Sequence, residues 1–254
     1  MVNQMFHRIQ SLANRLIRRY GYEIRPIAPL DLDAATKEII RQVTPFTMIS
    51  TERIIALKNA VEYVTKYDIA GDIVKCGVWK GGSMIAVALT LLNLGAKRRL
   101  HLFDTFERMT APTQVDRNIL GQRASQLLEG EEKSHSWTWA CSPLEEVKAN
   151  LRSTRYDESM ITYVRGPVEE TIPANAPAAI AILRLDTDWC ESTRHELLHL
   201  FPRLSPGGVL IIDDYGHWEG ARKAVDEFIA ATNLPLLLNR IDYTGRICIR
   251  PLPV

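Results

Sequence analysis

The chain has little cysteine, and what it has is scattered. Its four cysteines, Cys76, Cys141, Cys190 and Cys248, include no C-x-x-C pair. That spacing argues against a zinc site and against a disulfide framework, and it fits a reducing cytoplasm. No apolar run approaches the ~20 residues of a membrane span, and no secretory core follows the first methionine. An excess of one charge is missing as well: 31 Lys and Arg against 30 Asp and Glu leave a net charge of +1. That balance gives no general electrostatic case for binding nucleic acid. Internal repeats and low-complexity segments are also absent from the sequence. What remains is an ordinary globular composition, 46% hydrophobic and 24% charged, and 254 residues suffice for a full core.

Against this plain background, two apolar runs end abruptly in acids. Ile180 to Leu185, interrupted only by Arg184, runs into Asp186-Thr187-Asp188, and Val209 to Ile212 runs into Asp213-Asp214. Short apolar runs bounded by turn signals read as strands buried on both faces of a parallel sheet. In open α/β sheets the ligand crevice lies outside the carboxyl ends of the strands. The two tips therefore predict four carboxylates around one crevice. Mutual repulsion and desolvation make such a cluster call for a cation, and oxygen donors suit Mg²⁺ or Ca²⁺. Arg184 needs acceptors if buried, and the acid cluster is the nearest supply. A second reading of Asp188 is as the cap of the helix predicted over 191–201.

Upstream, residues 71–83 take a short strand into the turn Gly77-Val78-Trp79-Lys80-Gly81-Gly82 ahead of an apolar helix over 84–94. Glycines at a helix N-terminus let the backbone approach a ligand closely. A second strand, 99–104, ends in Asp104, about twenty residues past the turn, where doubly wound folds place a carboxylate on ribose hydroxyls. Helices are also predicted over 31–43, 52–67 with Ser50 as cap, 143–151 with Ser142 as cap and Pro143 as first residue, and 221–231. A third strand is read at 160–164, a tight turn at 204–208 leads into the strand at 209–212, and a closing antiparallel pair is read at 236–239 and 246–250. Residues 110–139 lack clear periodicity and read as a mobile insertion over the site.

At the start, Phe6, Ile9, Leu12, Leu16, Ile17 and Tyr20 fall at helical spacing beside Arg8, Arg15, Arg18 and Arg19. This basic amphipathic helix reads as one docked on its own domain or on a second subunit, with weak membrane-surface contact as the alternative. A linker follows over 22–29. The whole reads as a helical extension, 1–46, ahead of a doubly wound α/β domain, 47–254, with a C-terminal antiparallel hairpin.

Four motifs in this order are more specific than any one alone. Residues 71–83, Phe-Asp-Thr-Phe-Glu at 103–107, Leu-Arg-Leu-Asp-Thr-Asp-Trp-x-Glu-Ser-Thr at 183–193 and Ser-Pro-Gly-Gly-x-Leu-Ile-Ile-Asp-Asp-Tyr at 205–215 resemble the macrocin O-methyltransferase family. Its members methylate sugar hydroxyls on macrolide and aminocoumarin antibiotics. The resemblance implies a class I methyltransferase (Rossmann-like) fold, S-adenosylmethionine and Mg²⁺. It implies that Gly77, Gly81 and Ser83 hold the methionine side of the cofactor and Asp104 its ribose. Asp186, Asp213 and Asp214 match the metal ligands, and Asp188 matches the general base, with His217 as a rival base. The expected acceptor is a small molecule or glycoside and the expected assembly a homodimer.

One residue departs from the family: Lys75 stands in the first strand where a glutamate is common. A carboxylate there would help hold the cofactor end of the site, and with Lys75 the site is intact if its ammonium pairs with an acid nearby. Two other readings share the fold. One is a catechol-type Mg²⁺-dependent enzyme with a slot lined by Trp79, Trp189 and Trp218. The other is a non-catalytic S-adenosylmethionine-binding protein.

Overall fold

The computed structural model describes residues 12–22, 24, 31–130 and 141–252. Phe6, Arg8 and Ile9 of the predicted terminal helix, most of the predicted linker, and 131–139 of the predicted insertion lie outside them. The chain divides into two compact units, Met1–Glu38 and Ile39–Val254. In the first, residues 12–17 form helix α1, whose Leu12 and Leu16, like Tyr20 after it, are exposed. Helix α2 (Ala34–Val43) follows, with the Asp33 carboxylate accepting the Thr36 N–H at 2.6 Å.

The second unit is built on one seven-stranded sheet, counted among the described residues. Its strands are β1 (Asp72–Cys76), β2 (Leu100–Asp104), β3 (Ile161–Arg165), β4 (Ile180–Leu185), β5 (Leu204–Ile212), β6 (Asn239–Arg240) and β7 (Arg246–Ile249). They lie in the order β3-β2-β1-β4-β5-β7-β6. The first five are parallel, and β7 runs antiparallel to both β5 and β6. The strand order reverses between β1 and β4, which is where such a sheet opens a ligand crevice. Every residue of β4 is buried, as an apolar strand flanked on both edges and covered on both faces requires.

Side-chain alternation assigns the two faces. Val74, Cys76, Leu183, Leu185, Leu210 and Ile212 share a core with Leu197 and Leu200 of α8 (Cys190–Leu200) and Val225 of α9 (Glu219–Thr232). The opposite parity puts Lys75 and Arg184 side by side on neighbouring strands, since they are register partners. Helix α3 (Thr51–Lys66) packs against β4, β5 and the largely buried α4 (Gly82–Asn93). Ser50 caps α3 as the sequence predicts, accepting the Arg53 N–H at 3.2 Å.

Three local expectations are corrected. Ser142 does not cap α6 (Leu144–Arg152). Pro143 takes the cap position with no side-chain bond, which leaves the Ser142 hydroxyl buried without a hydrogen-bond partner. The turn expected at 204–208 lies inside β5, where the register with β4 jumps from Ile180↔Leu204 to Ile182↔Val209 around Gly207 (φ +79°). Of the insertion expected over the site, 110–130 reaches the cavity described below only at Thr110, and its Ile119 and Leu120 are exposed. Asp116 is fully buried, accepting N–H groups from Thr113 at 2.7 Å and Cys190 at 2.8 Å, while Asn118 bridges to Trp218. The segment lacks periodicity because side-chain-to-backbone bonds hold it, with only the short α5 (Ala124–Gly130) being helical.

Candidate active site

The site begins with two backbone constraints at the ends of β1 and β2. Gly77 has φ +74°, and a Cβ there would lie 1.9 Å from the Asp186 carbonyl oxygen, so the turn and the end of β4 touch backbone to backbone. Asp104, at the end of β2, accepts N–H bonds from Val78, from Trp79 at 3.3 Å and from Phe106 at 2.7 Å. The acid predicted to meet a ribose thus also pins the glycine turn. Gly81 (φ +86°) is the N-cap of α4 and stays off the cavity wall; Gly82 and Ser83 are the residues that face it.

These elements border a cavity of about 430 Å³, within the size range of small-ligand sites. Gly77, Ser83, Asp104, Asp186, Asp188 and Asp214 all line it. Asp213 does not; it is fully buried behind the wall. The sequence prediction that two strand tips bring four acids together is therefore met, with one of them withdrawn from the cavity. The residues suit an S-adenosyl group: the unpaired N–H groups of the first turn of α4 favour a carboxylate, and Asp104 lies on the wall for a hydroxyl pair.

The four acids differ sharply in environment. The Lys75 ammonium donates to Asp186 and lies 3.9 Å from Asp213. Arg184 donates two guanidinium N–H bonds to one oxygen of Asp213, through Nε at 2.9 Å and through Nη2. Arg53, from the first turn of α3, stands 3.9 Å from the other oxygen and pairs with Asp242 at 2.9 Å. Burial works against ionisation of Asp213, but Arg184, Lys75 and Arg53 outweigh it and hold the carboxyl well below its usual range. Burial and the neighbouring Asp213 push Asp186 up to about 6 despite Lys75. Burial and Asp186 push Asp188 up to about 7, and burial and Asp188 raise Asp214 well above the ordinary value.

Asp188 is held in place rather than used as a cap. The N-cap of α8 is Trp189, with no side-chain bond. Asp188 sits at φ +67°, donates its N–H to Asp214 at 3.1 Å and accepts the Trp218 indole N–H at 2.8 Å. Trp218 packs edge to face on Trp189 with centroids 5.0 Å apart, and Trp189 donates to the Thr110 carbonyl at 2.9 Å. Both indoles are buried, so they form a wall and not a flat slot. His217, the rival base, shares a 2.7 Å hydrogen bond through Nδ1 with the Tyr243 hydroxyl, and burial lowers its pKa.

Several contributors escape a reading by motif. Arg53 and Asp242 come from opposite ends of the domain and meet only in the fold. Glu196 lies fully buried under Thr187, which donates to it at 3.0 Å, and burial pushes its carboxyl up to about 8. The helical pattern of α8 hides that residue among ordinary polar positions. Asp116 carries no signal beyond its residue type.

A divalent ion on Asp186, Asp213 and Asp214 fits these side chains poorly. Asp186 is engaged by Lys75, Asp213 is off the cavity and bonded to Arg184, and Asp214 accepts a backbone N–H. Of the two buried atoms left unbonded on the Arg184–Asp213 pair, one is a carboxylate oxygen and the other is the Arg184 Nη1 donor. A cation satisfies only the first of these. Among the described residues no group of three or more His, Cys, Asp and Glu side chains is disposed to hold a metal.

Comparison with known proteins agrees with the geometry. The family model described as Macrocin-O-methyltransferase (TylF) matches residues 29–249. The 8-demethyl-8-(2,3-dimethoxy-alpha-L-rhamnosyl)-tetracenomycin-C 4'-O-methyltransferase of Streptomyces olivaceus is 33% identical over 201 residues, covering 78% of this chain and 73% of its own. Demethyldecarbamoylnovobiocin O-methyltransferase of Streptomyces niveus is 29% identical over 204 residues, with the same coverage of 78% and 73%. The solved structure of the O-methyltransferase NovP superposes with a TM-score of 0.71 at 27% identity, covering 82% of this chain and 83% of that one. That of CalS11, a calicheamicin methyltransferase, has a TM-score of 0.60 at 18% identity over 90% and 98% of the two chains, a likeness of fold. The crevice at the switch point, the closing hairpin and these relatives lead to one assignment: the chain belongs to the macrocin O-methyltransferase family and is an O-methyltransferase.

Proposed function

We propose that this enzyme moves the methyl group of S-adenosylmethionine to a hydroxyl of a sugar carried on a small glycoside, with Asp188 as general base. The observation that carries the reading is the Asp188 carboxylate. It lines the cavity, is aimed by the Trp218 indole, and is pushed up to about 7 by burial and Asp186. A base with a pKa near the working pH is the most effective proton acceptor. The tetracenomycin relative is named as the 4'-O-methyltransferase of a rhamnosyl-bearing compound, which supports a sugar acceptor.

When bound, the cofactor supplies a methyl group on a positively charged sulfur, an electrophile that needs no further activation. The protein's part is placement and proton removal. Gly77, Gly82, Ser83 and the N-terminus of α4 would hold the amino-acid end, and Asp104 would hold the ribose. Asp188 would take the proton of the acceptor hydroxyl, whose oxygen would receive the methyl group that the bound cofactor supplies. Alignment of the two reacting atoms contributes up to roughly 7–11 kcal/mol in favourable cases, more than proton removal alone. Met109, Thr110, Trp189 and Trp218 line the cavity with Asp188 and would limit water at that alignment. The Mg²⁺ expected from the family resemblance takes no part in this mechanism, because its matching ligands already carry cationic or backbone partners. The aromatic slot of a catechol enzyme is not favoured, since Trp189 and Trp218 are buried edge to face against each other.

The test is product analysis. Purified enzyme, labelled S-adenosylmethionine and a panel of rhamnosides and catechols should give a methylated sugar, located by NMR. Preference for catechols, or calorimetry showing no binding of S-adenosylhomocysteine, overturns the proposal. The expected homodimer and cytoplasmic setting belong to the same proposal. The four free cysteines suit a reducing compartment, and light scattering reads the assembly.

A further inference from the structure

Around Asp186 and Asp213 the side chains already supply cationic partners without an added ion. Asp186 and Asp213 face three side-chain cations: Lys75, Arg184 and Arg53, the last shared with Asp242. Lys75 is only 1% exposed, so its ammonium has no water to solvate it, and its hydrogen bond goes to Asp186. Strand register fixes this arrangement. Lys75 lies beside Arg184 across β1 and β4, and two cations on adjacent central strands are tolerated only with acids at the strand tips. A divalent ion drawn to Asp186 and Asp213 meets a fixed ammonium already bonded to one and 3.9 Å from the other. Placing it there would bring like charges together in a buried site, which is strongly unfavourable.

We propose that the Lys75 ammonium takes the charge-balancing place of a divalent cation in this chain, so that its methyl transfer runs without one. The proposal rests on the reading above, in which Asp188 and not a bound metal prepares the acceptor hydroxyl. In this role Lys75 is a positioning residue: it fixes Asp186, and through the Gly77 contact the end of β4, without touching the reactants. The expected consequence is specific to this chain. Replacing the ammonium by a carboxylate changes the local charge by two units and supplies one more oxygen donor, which converts the cluster into a site for a hard cation.

The experiment uses the full-length protein loaded with S-adenosylhomocysteine. Mn²⁺ serves as a paramagnetic probe for the hard divalent ion, and its free-ion EPR signal is recorded as protein is added. Wild type should leave the signal unchanged, and its turnover with the rhamnoside acceptor should stay within about twofold in EDTA. Lys75→Glu should quench the signal, binding Mn²⁺ roughly a hundredfold or more tighter than wild type, as two unit charges at short range imply. Lys75→Gln, neutral and of similar length, serves as the second variant and should bind measurably tighter than wild type. Stoichiometric Mn²⁺ binding by wild type, or turnover abolished by EDTA and restored by Mg²⁺, overturns the proposal. So does a folded Lys75→Glu that leaves the signal unchanged. Should Lys75→Glu fail to fold, the wild-type titration still decides. Absence of S-adenosylhomocysteine binding in the calorimetric control would instead sink the functional reading, so the two failures are distinct.

Discussion

Asp188→Asn gives the sharpest test of the chemistry, because the structure lets the substitution change the proton and little else. Asp188 sits at φ +67°, a conformation that asparagine tolerates better than most residues. The asparagine side-chain oxygen can still accept the Trp218 indole N–H, now 2.8 Å away, and the backbone N–H can still donate to Asp214. What is lost is the ability to take a proton. Loss of a general base costs about 10²–10⁴-fold in rate, which is roughly 3–5 kcal/mol of barrier. The wild-type rate should rise with pH through about 7, where the Asp188–Asp214 pair loses a proton, and then level off. In Asp188→Asn that limb should vanish along with most of the activity.

Stability should move the other way. A carboxyl raised to about 7 in the fold is protonated there while the unfolded chain is already ionised, so its contribution falls as pH rises from the ordinary carboxylate range to about 7. The neutral amide removes that cost and one like charge beside Asp214. The variant should therefore be at least as stable as wild type above neutral pH by urea unfolding. Single-turnover transfer from labelled cofactor gives the rate, and calorimetry with S-adenosylhomocysteine confirms that the cofactor site is intact. A variant within about threefold of wild type, or one that keeps the same acid limb, would refute the base assignment and turn attention to His217.

Two further perturbations follow from the same geometry. Gly77→Ala forces a Cβ to within 1.9 Å of the Asp186 carbonyl at a left-handed φ, and should cost at least about 2 kcal/mol in urea unfolding; a normal midpoint with undiminished cofactor binding would show that the turn and β4 separate easily. Glu196→Gln should flatten the pH dependence of stability. With its carboxyl pushed up to about 8, wild-type Glu196 is neutral in the fold and ionised in the unfolded chain between the ordinary carboxylate range and pH 8. Across that window wild-type stability should fall by roughly 1.4 kcal/mol per pH unit relative to the glutamine variant, and melting curves of the two that stay parallel from pH 5 to about 8 would contradict it.

What the sequence by itself determined is the frame and the place of the chemistry. The β4 span is found residue for residue where its apolar run predicts it, because burial on both faces leaves a local, period-free signature. Ser50 caps α3 because a cap needs only the residues of one turn. The acid tips at 186–188 and 213–214 follow from the rule that parallel strands deliver their carboxyl ends to one crevice, and the order of the four motifs carries the family resemblance. Only the tertiary structure decided which acids face the cavity and what neutralises the others. Asp213 and Asp214 are adjacent in sequence, yet alternation turns the first into a buried partner of Arg184 and the second to the cavity wall. Lys75 reaches Asp186 across 111 positions and Arg53 reaches Asp242 across 189, and no local pattern encodes either meeting. Charge pairing acts through space over a few ångströms, whereas periodicity acts along the chain, so the second is written in the order of residues and the first appears only once the strands are side by side.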